Sequence, residues 1–128
     1  MTPTYEAKGP VDMAQLQALF DESWEGEGPR YRNELQHCLA WVCAYEDETL
    51  VGFVSVAWNG GAHAFILDTT THPDYRHRGI GRELVRIAAG EARAAGCEWL
   101  HVDFEPDLAP FYEACGFGAT PAGLLRLT

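Results

Sequence analysis

The sequence is short of positive charge and of long apolar runs. Its 128 residues carry 9 Lys and Arg against 19 Asp and Glu, which gives a formal net charge of −10. A nucleic-acid binder needs a basic footprint for its phosphate contacts, so this composition argues against nucleic acid as a partner. No apolar run approaches the roughly 20 residues that a membrane-spanning helix requires. The sequence therefore argues against a membrane partner as well.

Paired cysteines and metal-ligand spacings are also missing. The four cysteines, at positions 38, 43, 97 and 115, form no C-x-x-C pair. This spacing argues against a zinc site or a disulfide framework, and we interpret the cysteines as reduced thiols that lie mostly in the core.

The first residues show no basic segment followed by an apolar one, so we expect no signal peptide and a cytoplasmic location. We predict no metal site.

The length and the periodicity of the chain predict one domain over residues 1–128. The predicted elements are an edge strand over 4–8, helices over 11–24 and 30–39, strands over 40–45, 50–58 and 62–71, a helix over 79–95, a strand over 99–104, a helix over 107–115 and a weak last strand over 124–127. A run of antiparallel strands precedes a strand–helix–strand crossover. This order predicts a mixed α/β (α+β) fold with a mostly antiparallel central sheet flanked by helices.

The positive charge that is present is concentrated on one glycine-rich turn. Of the nine basic residues, four lie within eleven positions, at 76, 78, 82 and 86. The segment Arg76-His77-Arg78-Gly79-Ile80-Gly81-Arg82 joins a predicted strand to a predicted helix. Glycines let the backbone approach an oxyanion, and the free N–H groups of a helix start point toward it. The flanking arginines add charge-assisted hydrogen bonds. The turn therefore predicts a diphosphate site, with a simple tight turn and solvated arginines as the alternative.

Two other phosphate-binding loops do not fit this turn. There is no G-x-x-x-x-G-K-[ST] motif, and Leu84 stands where a dinucleotide-binding fingerprint needs its third glycine. The turn instead resembles motif A of the GNAT superfamily of acetyl-CoA-dependent N-acetyltransferases, [Q/R]-x-x-G-x-[G/A]. Arg76, Gly79 and Gly81 match that motif, and Pro73-Asp74-Tyr75 is its usual lead-in. The order of elements is also similar over about residues 4–117.

The resemblance implies a GNAT-like fold whose sheet is splayed between its fourth and fifth strands. It further implies that acetyl-CoA is the co-substrate. Its diphosphate would lie on Arg76, His77, Arg78, Gly79, Ile80, Gly81 and Arg82. Its pantetheine arm would lie in the splay and pair with the fourth-strand backbone at Thr69, Thr70 and Thr71.

A second segment, Pro110-Phe111-Tyr112-Glu113-Ala114-Cys115-Gly116-Phe117, looks like the F-Y-x-x-x-G-F segment of the same family. The resemblance implies that Tyr112 is the acid that protonates the departing CoA thiolate. The alternative is that Tyr112 is a half-buried packing residue. The family often carries N-x-x-A-x-x-F-Y, and this chain departs from that pattern with Glu105 and Leu108. The departure puts one pantetheine contact in doubt.

Carboxylates near the expected splay are candidates for the general base. A lysine-like ammonium has a pKa of about 10.4 and must lose a proton before it can attack. Asp68, Asp103 and Glu105 lie at or near the strand ends, and we select Asp68 and Glu105 as catalytic candidates beside Tyr112. Each could instead be a solvated acid or a helix cap.

The loop that follows the first helix is where the acceptor would lie in such a fold. Trp24 and Tyr31 could form an aromatic wall for the acceptor there, or Trp24 could simply anchor the end of the helix.

Together these features predict transfer of acetyl from acetyl-CoA to a primary amine of a small molecule or peptide, by direct attack in a ternary complex. Two alternatives remain open. One is a non-catalytic acyl-CoA sensor, which Glu105 and Leu108 keep possible. The other is a small anion-binding interaction domain that uses the arginine turn alone. The weak last strand could also pair across a homodimer.

Overall fold

A computed structural model describes residues 2–128 of the chain. Its helices and strands, in chain order, are β1 Thr4–Ala7, α1 Met13–Ser23, β2 Ala40–Glu46, β3 Thr49–Trp58, β4 His63–Thr71, α2 Ile80–Ala94, β5 Trp99–His101 and α3 Ala109–Ala114. Short 3₁₀ turns lie at Glu34–His37, Pro73–Tyr75 and Pro106–Leu108.

The five strands form one sheet in the order β1-β2-β3-β4-β5. Successive strands from β1 to β4 are antiparallel, and β5 is parallel to β4 because α2 carries the chain back between them. The mixed, mostly antiparallel fold predicted from the sequence is therefore confirmed. Most of β3 is buried on both faces, since helices cover the two sides of the sheet.

The sheet opens between β4 and β5. Only three residue pairs join the two strands, and the last of them is Phe65 with His101, where β5 ends. β4 continues to Thr71, and no strand of residues 2–128 pairs with its last six residues, 66–71, on that side. The predicted splay is thus present, although β5 ends at His101 and does not reach the expected residue 104.

One extra residue interrupts β4 inside the splay. Ser55 of β3 lies opposite Leu67, whereas Phe53 lies opposite Thr70, so Asp68 and Thr69 together oppose Val54. Asp68 adopts a left-handed conformation with φ of 57°. This arrangement is a β-bulge, which changes the facing of the side chains around it.

Each face of the sheet has its own core. On the α2 face, α2 buries Ile80, Leu84, Val85, Ala88 and Ala92 against alternate residues of β2, β3 and β4. On the α1 face, Leu16, Leu19 and Phe20 pack against β2 and β3. Gly52 permits the close approach of α2, because a Cβ at this position would lie 3.0 Å from both Ile80 Cγ2 and Leu84 Cδ1.

Two predicted elements are wrong. Residues 30–39 form only the 3₁₀ turn at Glu34–His37, because the Glu34 carboxylate accepts the Arg32 backbone N–H and offers the chain a local alternative to a helix. Residues 124–127 form no strand, since no sheet edge within residues 2–128 pairs with them, and Leu124, Leu125 and Leu127 are exposed. The homodimer that rested on this strand stays a prediction.

The four cysteines are all free. Cys43 is buried in the core on the α1 face, and Cys97 and Cys115 are partly buried against the core on the α2 face. Three of the four therefore contribute to the core as expected, and Cys38 is partly buried outside it. In the described part of the chain, no helix is long and apolar enough to cross a bilayer.

Gly52→Ala should destabilise the fold by about 1–3 kcal/mol, because the added methyl overpacks the contact between α2 and β3. Urea denaturation measures this change. Gly90→Ala is the matched control: a Cβ at Gly90, within α2, meets nothing within 4 Å, so alanine there should stabilise by up to about 1 kcal/mol. Equal effects of the two substitutions would contradict the close approach.

Candidate active site

The glycine turn forms the start of α2. His77 and Gly79 both have left-handed backbone, with φ of 64° and 81°. Gly79 is the N-cap residue of α2, and no side chain of residues 2–128 caps this helix start. The first N–H groups of α2 are therefore free to bind a ligand, and the positive end of the helix dipole adds to the attraction for an anion.

The clustered arginines have different roles. Arg76 Nε donates to Thr71 O at 3.3 Å and its Nη2 donates to Ser23 O at 3.1 Å, so Arg76 ties the turn to the ends of β4 and α1. Arg86 forms an ion pair with Glu83. The Arg78 guanidinium lies over the Tyr75 ring, 5.1 Å from its centroid. The exposed Arg78 and Arg82 flank Gly79 and are best placed to meet an anion.

A groove of about 1050 Å³ begins at this turn. Gly79 and Arg82 from the start of α2, Cys115 and Phe117 from the segment that ends α3, and His101 at the end of β5 are among the residues that line it. The turn therefore continues into a cleft large enough for a small-molecule ligand.

The two sequence motifs meet at Gly81. A Cβ at Gly81 would lie 3.3 Å from Phe111 Cζ and 3.5 Å from Thr71 Oγ1. The end of β4, the start of α2 and the aromatic segment of α3 therefore converge on one point.

Tyr112 lies behind this point on the α2 face. Its side chain is 6 % exposed, stacks on Phe104 at 4.8 Å and meets the edges of Phe111 and Phe117. Burial raises the pKa of the Tyr112 phenol, with a smaller opposing effect from the Thr69 side chain. That contact falls short of hydrogen-bond geometry, so Thr69 Oγ1 is a buried polar atom without a partner among the described residues.

A polar cluster lies on the opposite, α1 face of the sheet. Tyr31 donates its hydroxyl proton to Asp68 Oδ2 at 2.6 Å and lies 2.8 Å from Ser55 Oγ. Because the phenol has one proton, Ser55 is the donor in the second contact. Burial, and then the hydrogen bond to Asp68, raise the pKa of Tyr31. The Tyr31 ring packs against Phe20 and Phe53, so Tyr31 holds Asp68 in place. The aromatic wall of Trp24 and Tyr31 for the acceptor stays a prediction.

The bulge is the reason that Asp68 reaches this cluster. Leu67 lies opposite Ser55 and points to the α1 face, so the next residue of a regular strand would point to the α2 face. The left-handed conformation at Asp68 keeps its carboxylate on the α1 face. Thr69 then faces Tyr112 on the α2 face.

Trp24 and Glu105 lie outside this cluster. Trp24 Nε1 donates to Thr70 Oγ1 at 2.9 Å, and this bond anchors the end of α1 to β4. Glu105 is exposed before the last 3₁₀ turn, and its side chain forms no hydrogen bond or ion pair within the described range 2–128. The structure thus brings Asp68 and Tyr31 together at the β4 bulge. The next residue, Thr69, brings Tyr112 to the same segment of β4.

Sequence reasoning missed Ser55, Cys38 and the bulge. A serine between Val54 and Val56 in a buried strand was a usable signal, because a buried hydroxyl requires a partner. Cys38 lies near Asp68; burial and then the Asp68 charge raise the pKa of its thiol.

Among residues 2–128 no group of three or more His, Cys, Asp or Glu side chains is arranged to hold a metal ion.

The model of the Acetyltransferase (GNAT) family matches residues 11–117. A relative named uncharacterized N-acetyltransferase ycf52, from Pyropia yezoensis, is 32 % identical over 75 residues, which cover 59 % of this chain and 43 % of the relative. The match therefore spans less than half of that relative's length.

Two solved structures show the same fold. A putative acetyltransferase from Deinococcus radiodurans R1 superposes with a TM-score of 0.79 at 26 % identity, covering 98 % of this chain and 88 % of that one. The aminoglycoside N-acetyltransferase AAC(6')-Iy in complex with CoA superposes with a TM-score of 0.78 at 18 % identity, covering 99 % and 95 %. With its sequence motifs, its splayed sheet and the family match over residues 11–117, this chain belongs to the GNAT family of acetyltransferases.

Proposed function

We propose that this protein transfers the acetyl group of acetyl-CoA to a primary amine of a small molecule or peptide, by direct attack in a ternary complex. The observation that carries the proposal is the arrangement around the β4 bulge. Asp68 lies with Tyr31 on the α1 face, and the next residue, Thr69, lies beside buried Tyr112 on the α2 face. The two groups lie on opposite faces of β4, on the part of the strand that borders the gap between β4 and β5. A thioester in this gap would meet an amine from one side and a phenol from the other.

The residues present suit acetyl-CoA. The open backbone of β4 could pair with the amides of the pantetheine arm, and Thr69 Oγ1 is a buried polar atom that lacks a partner in the described residues. The uncapped start of α2 with Arg78 and Arg82 would hold the diphosphate, and the adjoining groove would take the nucleotide end. A structural neighbour of the same fold, AAC(6')-Iy, has been solved with CoA, which supports this assignment.

Each chemical step has a residue at hand. Asp68 would take a proton from the acceptor ammonium, directly or through water, so that the free amine can form the C–N bond to the acetyl carbon. The backbone N–H at about Thr69 would donate to the thioester oxygen as charge develops on it. Tyr112 would donate its proton to sulfur as the C–S bond breaks. A phenol is protonated at neutral pH, and burial, which raises the pKa of Tyr112, preserves that state.

Direct attack suits this site better than an acyl-cysteine intermediate. Cys38 is the thiol beside Asp68, and both burial and the Asp68 charge raise its pKa. The thiolate is the nucleophilic form, so the raised pKa disfavours attack by Cys38 on the thioester.

Tyr112→Phe should lower kcat by about 10²-fold, because it removes the proposed acid. The affinity for acetyl-CoA should not change, since the ring keeps its packing against the three neighbouring phenylalanines. Release of free CoA thiol over a panel of amines and peptides measures the first quantity, and calorimetry measures the second. If both proteins bind acetyl-CoA and neither releases thiol, the chain is an acyl-CoA sensor and the catalytic proposal fails.

Gly79→Ala should weaken CoA binding about tenfold or more. The methyl group strains a left-handed residue and occupies the surface on which the diphosphate would lie. Gly96→Ala is the matched control, because Gly96 also has positive φ, 90°, but lies beyond the opposite end of α2. The control should lose similar stability and keep its CoA affinity. Equal loss of affinity in the two variants would show that the turn does not bind the diphosphate.

Asp68→Asn should lower kcat/KM by about 10²-fold or more if Asp68 takes the proton. Asparagine tolerates left-handed backbone and can accept the Tyr31 hydrogen bond, so the bulge should persist. Glu105→Gln tests the other candidate base and should have little effect, because that carboxylate is exposed and unpartnered within residues 2–128. Thiol-release kinetics of the two variants distinguish the candidates, and the reverse ranking would assign the base to Glu105.

A further inference from the structure

The α1 face of the sheet is left partly uncovered beside Asp68. α1 and the 3₁₀ turn at Glu34–His37 cover β2 and β3 on this face. Farther along β4, Leu67 and Phe65 point to the same face and are each 40 % exposed. Phe65 stacks on His101 of β5, with ring centroids 4.4 Å apart and planes at 21°. We call the row formed by Asp68, Leu67, Phe65 and His101 the acceptor strip.

The acceptor strip has a carboxylate at one end and flat rings at the other. Asp68 Oδ2 accepts from Tyr31, while Oδ1 has no hydrogen-bond partner among residues 2–128. The far end is held by the His63–His101 contact, with Nδ1 and Nε2 2.8 Å apart. In this contact one ring nitrogen is unprotonated, because it accepts the proton of the other. With the Asp68 carboxylate at one end and the rings at the other, the strip pairs one site for a cation with a surface for an apolar ring.

The spacing along the strip limits the shape of the ligand. The bulge places Asp68 and Leu67 next to each other on one face. Phe65 lies two residues before Leu67, which is about 7 Å along a strand. Phe65 therefore lies three residues from Asp68, so a ligand that spans the strip would place its ammonium at Asp68 and its ring about 7–10 Å away.

If the protein is the amine acetyltransferase proposed above, its acceptor has a definite shape. We propose that the acceptor is a primary amine joined by a short carbon chain to an aromatic ring. The ammonium binds at Asp68, the carbon chain crosses Leu67, and the ring packs on Phe65 and His101. Polyamines and aminoglycosides fit this strip less well, because their additional ammonium and hydroxyl groups remain hydrated on this exposed surface and cover less of its apolar area.

The test begins with the wild-type protein and a matched set of amines. Thiol release should give a kcat/KM for 4-phenylbutylamine about tenfold or more above that for butylamine, since only the former covers the rings. A polyamine and an aminoglycoside should be poorer acceptors than 4-phenylbutylamine. Calorimetry with CoA present should show the same order of amine affinities, a readout that does not depend on turnover.

Phe65→Ser should abolish the preference for 4-phenylbutylamine, mainly by raising its KM, because the strip contributes binding energy to substrate and transition state alike. Trp58→Ser is the matched control. Trp58 is similarly exposed, at 38 %, and lies opposite Ala64 at the end of β3. By the alternation of β3 it points to the α2 face, so its replacement should leave the preference intact. Phe65→Leu, which keeps an apolar side chain, serves if the serine variant does not fold, and should reduce the ring preference severalfold because it removes the ring-on-ring contact.

Several results would overturn the inference. A polyamine or aminoglycoside that is used as well as 4-phenylbutylamine would do so, as would a preference that Phe65→Ser leaves unchanged in a folded protein or that Phe65→Leu does not reduce. Sedimentation showing a dimer that Phe65→Ser dissociates with unchanged kinetics would assign the strip to a subunit interface. Binding of CoA without thiol release from any amine would instead reject the proposed function itself, and the inference with it.

Discussion

The arrangement of this site depends on one extra residue in β4. In a regular strand Asp68 would point to the α2 face, where β4 packs against an apolar core and a carboxylate would lose hydration without gaining a partner. The left-handed conformation at Asp68 places the carboxylate against Tyr31 on the α1 face. An aspartate accepts this conformation more readily than most side chains. The same displacement points Thr69 toward Tyr112, so one local backbone change separates the proposed base from the proposed acid.

The rest of the fold fixes the position of this bulge relative to the anion turn. Gly52 lets α2 lie close against β3, and Gly81 lets the start of α2 contact Phe111. Arg76 ties the turn to the end of β4 and the end of α1. Because these contacts share the last residues of β4, the helix start, the phenol and the carboxylate are held by one connected set of interactions. The arginine expected to bind phosphate thus has a structural role that its sequence motif did not reveal.

How much the sequence could predict follows from the range of the interactions involved. The apolar runs of β2 to β4 and the period of α2 are local patterns, so these elements and the crossover between β4 and β5 were predictable. The resemblance to GNAT motifs added the splay. The bulge at Asp68 depends on Tyr31, 37 residues away in sequence, and no local pattern encodes that contact. Residues 30–39 have helical spacing, but the Glu34 side chain stabilises a different local structure. The strand predicted over 124–127 is absent, because a strand needs a partner edge, which a sequence period does not provide.

We propose that the thioester lies in the gap between β4 and β5, with its two reacting sides facing opposite faces of the sheet. A crystal structure of the protein with a non-hydrolysable acetyl-CoA analogue would locate the acetyl group. The Tyr112 hydroxyl should then lie within hydrogen-bond distance of the position of sulfur, and the acetyl carbon should be open toward Asp68 on the α1 face. An analogue whose acetyl group lies outside the gap, or whose acetyl carbon is reached only from the Tyr112 side, would contradict it.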